Sequence, residues 1–459
     1  MMSMKIMKNQ YSKLKKLNKL KGLKNSEDGL FKDSFYMILS NLYSKLILYL
    51  FFLIIPFMVG TEGFGVVRGL LPITDTIVIF FCSGIPPAMA KFISEDNSKK
   101  QMEKFETDYY VENTNVWEFK ILKYMVFFSF FGALLAISLK YILGGDYKTL
   151  PDIYYYAIAL SIPLSAFISW SRGVLQGNLK IKQLSLTWIL EHTSKVVFLI
   201  PLALFFGITG VLLSVSVGYL LGGLLGLYII FKYLNRYKRQ TERFESTKYS
   251  NSNDNKIMAN KVLIYAIPIA LTATSYRLLN DLDSIFIMSI LGAYDNGLYG
   301  YASLISKLLF LFAASISTVL IPRMAKSNIK SVKSLKYLKK SLLLNFTILL
   351  PLLAIFIIFA NDILKLSFGI SNVNVSNSLI VLSLSASVMS IYTLCASSLQ
   401  GMGYAKIPLY VISLGIVLNA VFNLLLIPIY GILGGAFATL LSSTMISVLM
   451  SILTLRKLK

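Results

Sequence analysis

The chain has 459 residues, of which 56% are hydrophobic and only 15% are charged, and its mean hydropathy is +0.66. This composition excludes an ordinary soluble enzyme and a disordered chain. The formal net charge of +23 would indicate nucleic-acid binding in a soluble protein, but in a membrane protein basic residues mainly set the orientation. We therefore expect an integral membrane protein that has no nucleic-acid partner.

Windows of about 20 apolar residues, long enough to cross the hydrocarbon core of a bilayer, recur along almost the whole chain. Several connections between these windows are so short that the flanking helices must be antiparallel neighbours. The predicted fold class is an all-α membrane protein of about twelve transmembrane helices. The predicted spans are 36–59, 66–93, 121–143, 153–174, 183–206, 208–231, 261–291, 298–322, 338–359, 376–399, 407–427 and 431–455.

Positive charges alternate from one connection to the next. If the amino terminus lies in the cytoplasm, the outer loops contain only Lys140, Lys148 and Lys365. This alternation obeys the positive-inside rule, so we expect a multi-pass protein of the cell membrane with both termini in the cytoplasm. The cytoplasmic segments would hold the basic residues of 5–32, 91–123, 172–182, 232–261, 323–340, position 406 and 456–459.

Three short sequence anchors recur in the same order in the two halves of the chain. The letters "MAK" occur at 89–91 and 324–326, "LQG" occurs at 175–177 and 399–401, and "GITG" at 207–210 parallels "GILG" at 431–434. Each half has an even number of predicted spans, so both halves have the same orientation. The sequence therefore predicts two parallel six-helix repeats, an arrangement that transporters use.

The repeat divides the chain into five predicted segments. A basic cytoplasmic tail (1–35) precedes an N-lobe made of spans one to six (36–231). A basic cytoplasmic linker (232–260) leads to a C-lobe made of spans seven to twelve (261–455), and a short cytoplasmic tail (456–459) follows.

The residues that enzymes commonly use are scarce. The single histidine, His192, and the two cysteines, Cys82 and Cys395, lie in apolar spans, which favours neither a metal site nor a disulfide framework. The sequence contains no G-x-x-x-x-G-K-[ST] phosphate-binding loop. We expect no metal, no cofactor and no catalytic residue, and an integral membrane transferase is the least favoured alternative.

Two long stretches resemble a known family. They are "VGTEGFGVVRGLLPITDTIVIFFCSGIPPAMAKFISE" at 59–95 and "NAVFNLLLIPIYGILGGAFATLLSS" at 419–443, and the two "LQG" turns accompany them. They are similar to the polysaccharide flippase family of the multidrug/oligosaccharidyl-lipid/polysaccharide exporter superfamily, and the first stretch is most similar to its stage V sporulation protein B branch. The resemblance implies the exporter-superfamily transporter fold, with spans one, two, seven and eight around a central cavity.

The same resemblance implies a function and its partners. An alternating-access transporter of this family would flip a polyprenyl-phosphate or polyprenyl-diphosphate sugar from the cytoplasmic to the outer leaflet, for the synthesis of polysaccharide or another cell-surface glycan. Its partners would be membrane lipid and the polyprenyl-linked sugar, and Na+ or H+ is a candidate coupling ion. A cation-coupled multidrug exporter of the same superfamily is the main alternative.

Seven charged residues fall on the four spans that would line the cavity. A diphosphate requires fixed cations, because charge-assisted hydrogen bonds to phosphate are about twice as strong as neutral ones. We therefore expect the four cations to bind substrate, and the three carboxylates to couple an ion or to act as charge partners. The cations are Lys45, Arg277, Lys307 and, ranked lower, Arg68; the carboxylates are Asp75, Asp281 and Asp283.

Simple charge pairing is the alternative explanation for several of these residues. Arg277 and Asp281 are four residues apart and could neutralise each other on one helix face. Arg68 lies near the outer surface and could extend to the lipid headgroups. Lys45 has no acidic neighbour on its own span, although Asp75 on the adjacent helix could reach it.

Predicted span five also contains charges. Glu191 and Lys195 are four residues apart, with His192 beside them. We expect Glu191 and Lys195 to satisfy each other, and His192 to be a buried histidine with hydrogen-bonding neighbours.

Overall fold

A computed structural model describes the backbone of residues 2–106, 116–241, 252–325 and 332–458, and most side chains in these ranges from Tyr36 onward. This part of the chain is almost entirely helical and contains no β-strand. The helices are α1 (Met2–Cys82), α2 (Ile85–Glu106), α3 (Val116–Ile142), α4 (Asp152–Gly177), α5 (Ile181–Thr241), α6 (Ser252–Ile290), α7 (Ala293–Ala325), α8 (Val332–Ile358), α9 (Ala360–Phe368), α10 (Val373–Gly401), α11 (Lys406–Tyr430) and α12 (Ile432–Leu458).

Nine helical stretches within the described ranges are long and apolar enough to cross a membrane. Two of them, Leu39–Asp96 and Ile181–Lys232, each contain two predicted spans. The predicted eighth span lies within α7, where the side chains of several residues are outside the described set. The protein is therefore a multi-pass, all-α membrane protein, as its sequence predicts.

Helix α1 consists of two arms rather than one rod. Gly60 has φ 71° and ψ −179°, a backbone conformation that favours glycine. The guanidinium of Arg68 lies 5.8 Å from the centroid of the Phe52 ring, whereas a straight helix would hold these residues roughly 24 Å apart. The chain therefore folds back at Gly60, and the two arms are the predicted spans one and two.

The two halves of the chain reverse direction in the same way at matching positions. Gly207 within α5 has φ 56° and ψ −131°, and Gly431 between α11 and α12 has φ 60° and ψ −139°. Residues other than glycine rarely adopt either of these backbone conformations. The "GITG" and "GILG" anchors are thus the same structural turn.

The backbone around these two turns is packed alike. A β-carbon at Gly210 would lie 1.8 Å from the carbonyl oxygen of Leu202, and one at Gly434 would lie 2.1 Å from that of Leu426. In both pairs the glycine follows the leucine by the same number of residues. Because these equivalent close contacts recur in both halves, the structure confirms the predicted repeat.

The two repeats touch backbone to backbone at the end of the bundle that holds residues 60–65 and 291–297, which we call the sealed end. A β-carbon at Gly65 would lie 1.7 Å from the carbonyl oxygen of Ala293, and one at Gly297 would lie 2.0 Å from that of Thr61. Asn296 is buried there and donates a hydrogen bond to the carbonyl oxygen of Gly65 at 2.7 Å. Glycine permits this close approach because it has no side chain.

The predicted orientation can be tested at exposed positions. Tyr294→Cys and Asn374→Cys, which lie in two predicted outer loops, should react with an impermeant thiol reagent added outside cells. Lys336→Cys and Lys406→Cys should react only after the membrane is opened, because the positive-inside rule places these basic segments in the cytoplasm. All four positions are exposed.

The unmodified protein supplies the control for this experiment. Cys82 and Cys395 are both buried, so it should show little labelling under either condition. Labelling of Lys406→Cys from outside intact cells would contradict the predicted topology.

Candidate functional site

Charges predicted on three spans meet around the buried carboxylate of Asp281. Lys307 Nζ donates to Oδ1 at 2.8 Å, and Arg277 Nη1 lies 3.2 Å from Oδ2. Arg68 Nη2 lies 3.7 Å from Oδ1. These three cations come from α6, α7 and the second arm of α1, so the site depends on how helices from both lobes pack together.

The three cations also bind other groups. Arg277 Nη2 donates to Asp75 Oδ2 at 2.7 Å, which joins α6 of the C-lobe to α1 of the N-lobe. Arg68 Nη2 donates to Ser303 Oγ at 3.0 Å, and Lys307 Nζ donates to the carbonyl oxygen of Asn280 at 3.0 Å. We call Arg68, Asp75, Arg277, Asp281 and Lys307 the central cluster.

The central cluster corrects two sequence interpretations. Arg68 does not extend to the surface, because it is 4% exposed and its guanidinium points into the cluster. Asp75 pairs with Arg277 rather than with Lys45. Lys45 is exposed and has no contact with the described members of the cluster, so its role in substrate binding stays a prediction.

Asp283 lies outside the central cluster, in a polar group of the C-lobe. Tyr299 and Thr439 donate hydroxyl hydrogen bonds to Oδ2, and the backbone amide of Ser284 donates to Oδ1 at 2.8 Å. Within the described part of the chain, Asp283 has no cationic partner within ion-pair distance. A residue six positions further along a helix is rotated by about 120°, which explains why Asp283 does not join the Arg277–Asp281 pair.

Two buried asparagines of α11 extend this polar group. The amide of Asn419 lies 3.5 Å from Thr439 Oγ1 and donates to Ser442 Oγ at 3.1 Å. The amide of Asn423 donates to Asn419 Oδ1 at 2.8 Å. The carbonyl oxygen of the Asn423 side chain is buried without a hydrogen-bond partner among the described residues, so an oxygen acceptor is available there.

A cavity of about 470 Å³ lies beside the central cluster, within the N-lobe. Asp75 and Arg277 line one part of it, and the side chains of α4 and α5 line another part. Residues of predicted spans one, two and seven line this cavity, and residues of spans four, five and six line it as well.

The carboxylate of Glu191 organises the α4 and α5 side of this cavity. Lys195 Nζ donates to Oε1 at 2.6 Å, as the spacing of the two residues predicts. Arg172 Nη2 donates to Oε2, also at 2.6 Å. Arg172 was expected in a cytoplasmic segment, but its side chain is 11% exposed and belongs to this buried network. The sequence signal for this burial was the position of Arg172 inside the predicted span 153–174.

The sequence matches two family profiles. The family described as polysaccharide biosynthesis protein matches residues 30–328, and the family described as MatE matches residues 268–425. An uncharacterized membrane protein of Methanocaldococcus jannaschii is 45% identical over 90% of this chain and 94% of its own length. Stage V sporulation protein B of Bacillus subtilis is 21% identical over 74% of this chain and 67% of its own length.

Solved structures share the architecture. An inward-facing multidrug resistance MATE family transporter of the MOP superfamily has a TM-score of 0.69 and 14% identity, covering 90% of this chain and 94% of that one. The lipid II flippase MurJ in an inward closed conformation has a TM-score of 0.68 and 16% identity, covering 92% of this chain and 87% of that one. At such low sequence identities, the similarity to these two structures shows a shared fold and nothing more.

The central cluster leads to a prediction about stability. Asp281→Ala should lower the Tm of the purified protein in detergent more than Asp75→Ala does, because it leaves three cations without their shared counter-ion. Removing one partner of a buried ion pair typically costs about 3–5 kcal/mol. Asp152→Ala, at a carboxylate with 56% side-chain exposure, is the matched control and should have little effect.

A second substitution separates lost charge pairing from general damage. Adding Lys307→Gln to Asp281→Ala removes one of the unpaired cations and should restore part of the Tm. A Tm for Asp281→Ala equal to that of Asp152→Ala would show that the central cluster does not depend on Asp281.

Proposed function

Because the chain belongs to the polysaccharide biosynthesis protein family, we propose that this membrane transporter flips a polyprenyl-linked oligosaccharide from the cytoplasmic to the outer leaflet. The proposed substrate carries a phosphate or diphosphate between its lipid and its sugar. The observation that carries the proposal is the central cluster, where three cations face two carboxylates and one positive charge is in excess. Such a site suits an anionic group that must pass through the membrane interior.

The accessibility of the charges favours an anionic ligand over a cationic one. The side chains of Lys307 and Arg277 are 38% and 28% exposed, whereas Asp281 is 2% exposed. Asp75, at 31%, is the cluster's other carboxylate, and it is already bound to Arg277. An incoming phosphate would therefore meet two accessible cations, while an incoming organic cation would meet one accessible carboxylate, which already carries an ion pair with Arg277.

The contacts between the lobes support alternating access. The Arg277–Asp75 ion pair and the Arg68–Ser303 hydrogen bond both connect the N-lobe to the C-lobe. A phosphate bound by Arg277 would change these inter-lobe contacts directly, and differential contacts of this kind are what shift a conformational equilibrium. The lobes 36–231 and 261–455 are the proposed moving units, and we propose cytoplasmic positions for both termini.

A cation-coupled multidrug exporter is the second candidate. The MatE match over residues 268–425 favours it. Coupling to a cation has a candidate site in the buried Asp283, which has no cationic partner among the described residues. Na+ prefers oxygen ligands, as hard cations generally do, and the carboxylate of Asp283 and the hydroxyl of Thr439, which are hydrogen-bonded to each other, would supply two of them. We propose that Asp283, rather than Asp75 or Asp281, takes a coupling Na+ or H+, a role compatible with either substrate.

Reconstitution in liposomes tests the proposed function. A polyprenyl diphosphate with a fluorescent hexose headgroup is placed in the membrane, and an external quencher reports which leaflet the headgroup occupies. The unmodified protein should speed the exchange between leaflets. Lys307→Gln and Arg277→Gln should slow it at least about tenfold, because the phosphate loses a charged partner in a medium of low dielectric.

Matched variants make this result interpretable. Lys307→Arg keeps the charge and should retain partial activity, and Lys406→Gln removes an exposed cation far from the cluster and should be neutral. Normal exchange in both Lys307→Gln and Arg277→Gln would contradict the cationic site. Export of a cationic dye without any movement of the lipid would favour the multidrug exporter.

A further inference from the structure

The N-lobe cavity combines two different kinds of polar group. Arg277 and Asp75 of the central cluster contribute charges to one part of it. On the α4 and α5 side, the charged groups already bind one another, since Arg172 and Lys195 occupy both oxygens of Glu191. The ammonium of Lys195 also lies 4.0 Å from the centroid of the Tyr219 ring. These three charges therefore hold one another in place in the wall.

Uncharged polar groups on the same wall remain available. The Nδ1 atom of His192 lies 2.9 Å from the carbonyl oxygen of Trp188. Because a carbonyl can only accept, Nδ1 carries a proton, and in the neutral form of the ring Nε2 is left as an acceptor. The Trp188 indole N–H and the side-chain amide of Gln176 have no hydrogen-bond partner among the described residues, and all three residues line the cavity.

Two of these groups, Trp188 and His192, are held in fixed positions. The guanidinium of Arg172 lies 4.2 Å from the centroid of the Trp188 ring. The ring of His192 is nearly parallel to the same indole, with an interplanar angle of 5° and centroids 6.0 Å apart. Glu191 thus fixes Arg172, Arg172 packs on Trp188, and Trp188 packs on His192. Such a preorganised site loses little side-chain entropy when a ligand binds.

We propose that this part of the N-lobe cavity binds the sugar that lies next to the phosphate, through its uncharged hydroxyl groups. Each hydroxyl is both a donor and an acceptor, and the wall offers an acceptor on His192, a donor on Trp188 and both on Gln176. The phosphate would lie at Arg277, at the edge of the same cavity. This assignment rests on the proposed function.

Two further observations support the assignment. The volume of about 470 Å³ is within the usual range of small-molecule sites and gives room for roughly one or two sugar rings. The site also belongs to one lobe only. The sequence shift that takes Gly207 to Gly431 also takes Lys195 to Asn419 and Glu191 to Gly415. The C-lobe therefore lacks the ionic network that holds this wall in the N-lobe.

Binding to two lipids tests the inference. The probes are a polyprenyl diphosphate bearing one hexose and the bare polyprenyl diphosphate of the same chain length, each titrated into the purified full-length protein in detergent. The unmodified protein should bind the hexose-bearing lipid about tenfold more tightly. Gln176→Ala and His192→Ala should reduce that preference to near unity and leave the affinity for the bare lipid unchanged.

Control variants assign each effect to its group. His192→Gln retains a hydrogen-bonding side chain and should keep part of the preference. Leu186→Ala, on the exposed face of the same helix, should keep all of it. Arg277→Gln should weaken binding of both lipids by the same factor.

The outcomes separate this inference from the proposed function. Equal binding of the two lipids by the unmodified protein, or an unchanged preference in Gln176→Ala and His192→Ala, would overturn the sugar site, while Arg277-dependent binding would still support the flippase. Failure of the unmodified protein to bind either lipid would overturn the proposed function as well.

Discussion

The buried carboxylate of Asp281 allows three cations to lie together inside the membrane. A charged side chain at the centre of a bilayer costs about 2.5–3.5 kcal/mol on insertion scales, and like charges held close together add repulsion. Asp281 lies within 3.7 Å of all three cations and offsets part of both costs. With Asp75 counted, one positive charge remains in excess, and such an arrangement favours a ligand that brings negative charge.

The two lobes share a backbone fold but differ in chemistry. Gly207 and Gly431 adopt nearly the same left-handed conformation, because a chain that reverses so tightly needs glycine. Cavity-lining positions carry no such backbone constraint, and there the lobes have diverged. Lys195 contributes to an ionic network in the N-lobe, whereas the corresponding Asn419 belongs to the neutral hydrogen-bonded group near Asp283. The two lobes thus carry different side chains on a common backbone frame.

The sequence predicted the features that depend on local patterns. Span length follows from hydrophobic runs, the repeat follows from glycine turns, and the Glu191–Lys195 pair follows from helical spacing. The Asp75–Arg277 pair could not be predicted, because it joins residues 202 positions apart on helices whose rotation about their axes depends on tertiary packing. The prediction that Arg68 extends to the lipid headgroups was wrong for the same reason. Its depth along the span could be read from the sequence, but the face that its helix turns toward the other lobe could not.

Under the proposed function, Arg277 would have two roles that compete with each other. It bridges Asp281 within its own helix and Asp75 of the other lobe, and it is also an accessible cation for the proposed phosphate. Arg277 Nη2 donates to Asp75, and a phosphate bound by the same planar guanidinium would compete with Asp75 for its charge. Substrate binding would then weaken an ion pair between the lobes at the point where they meet. The sealed end joins the lobes differently, through close backbone packing at Gly65 and Gly297 and the hydrogen bond from Asn296 to the carbonyl oxygen of Gly65.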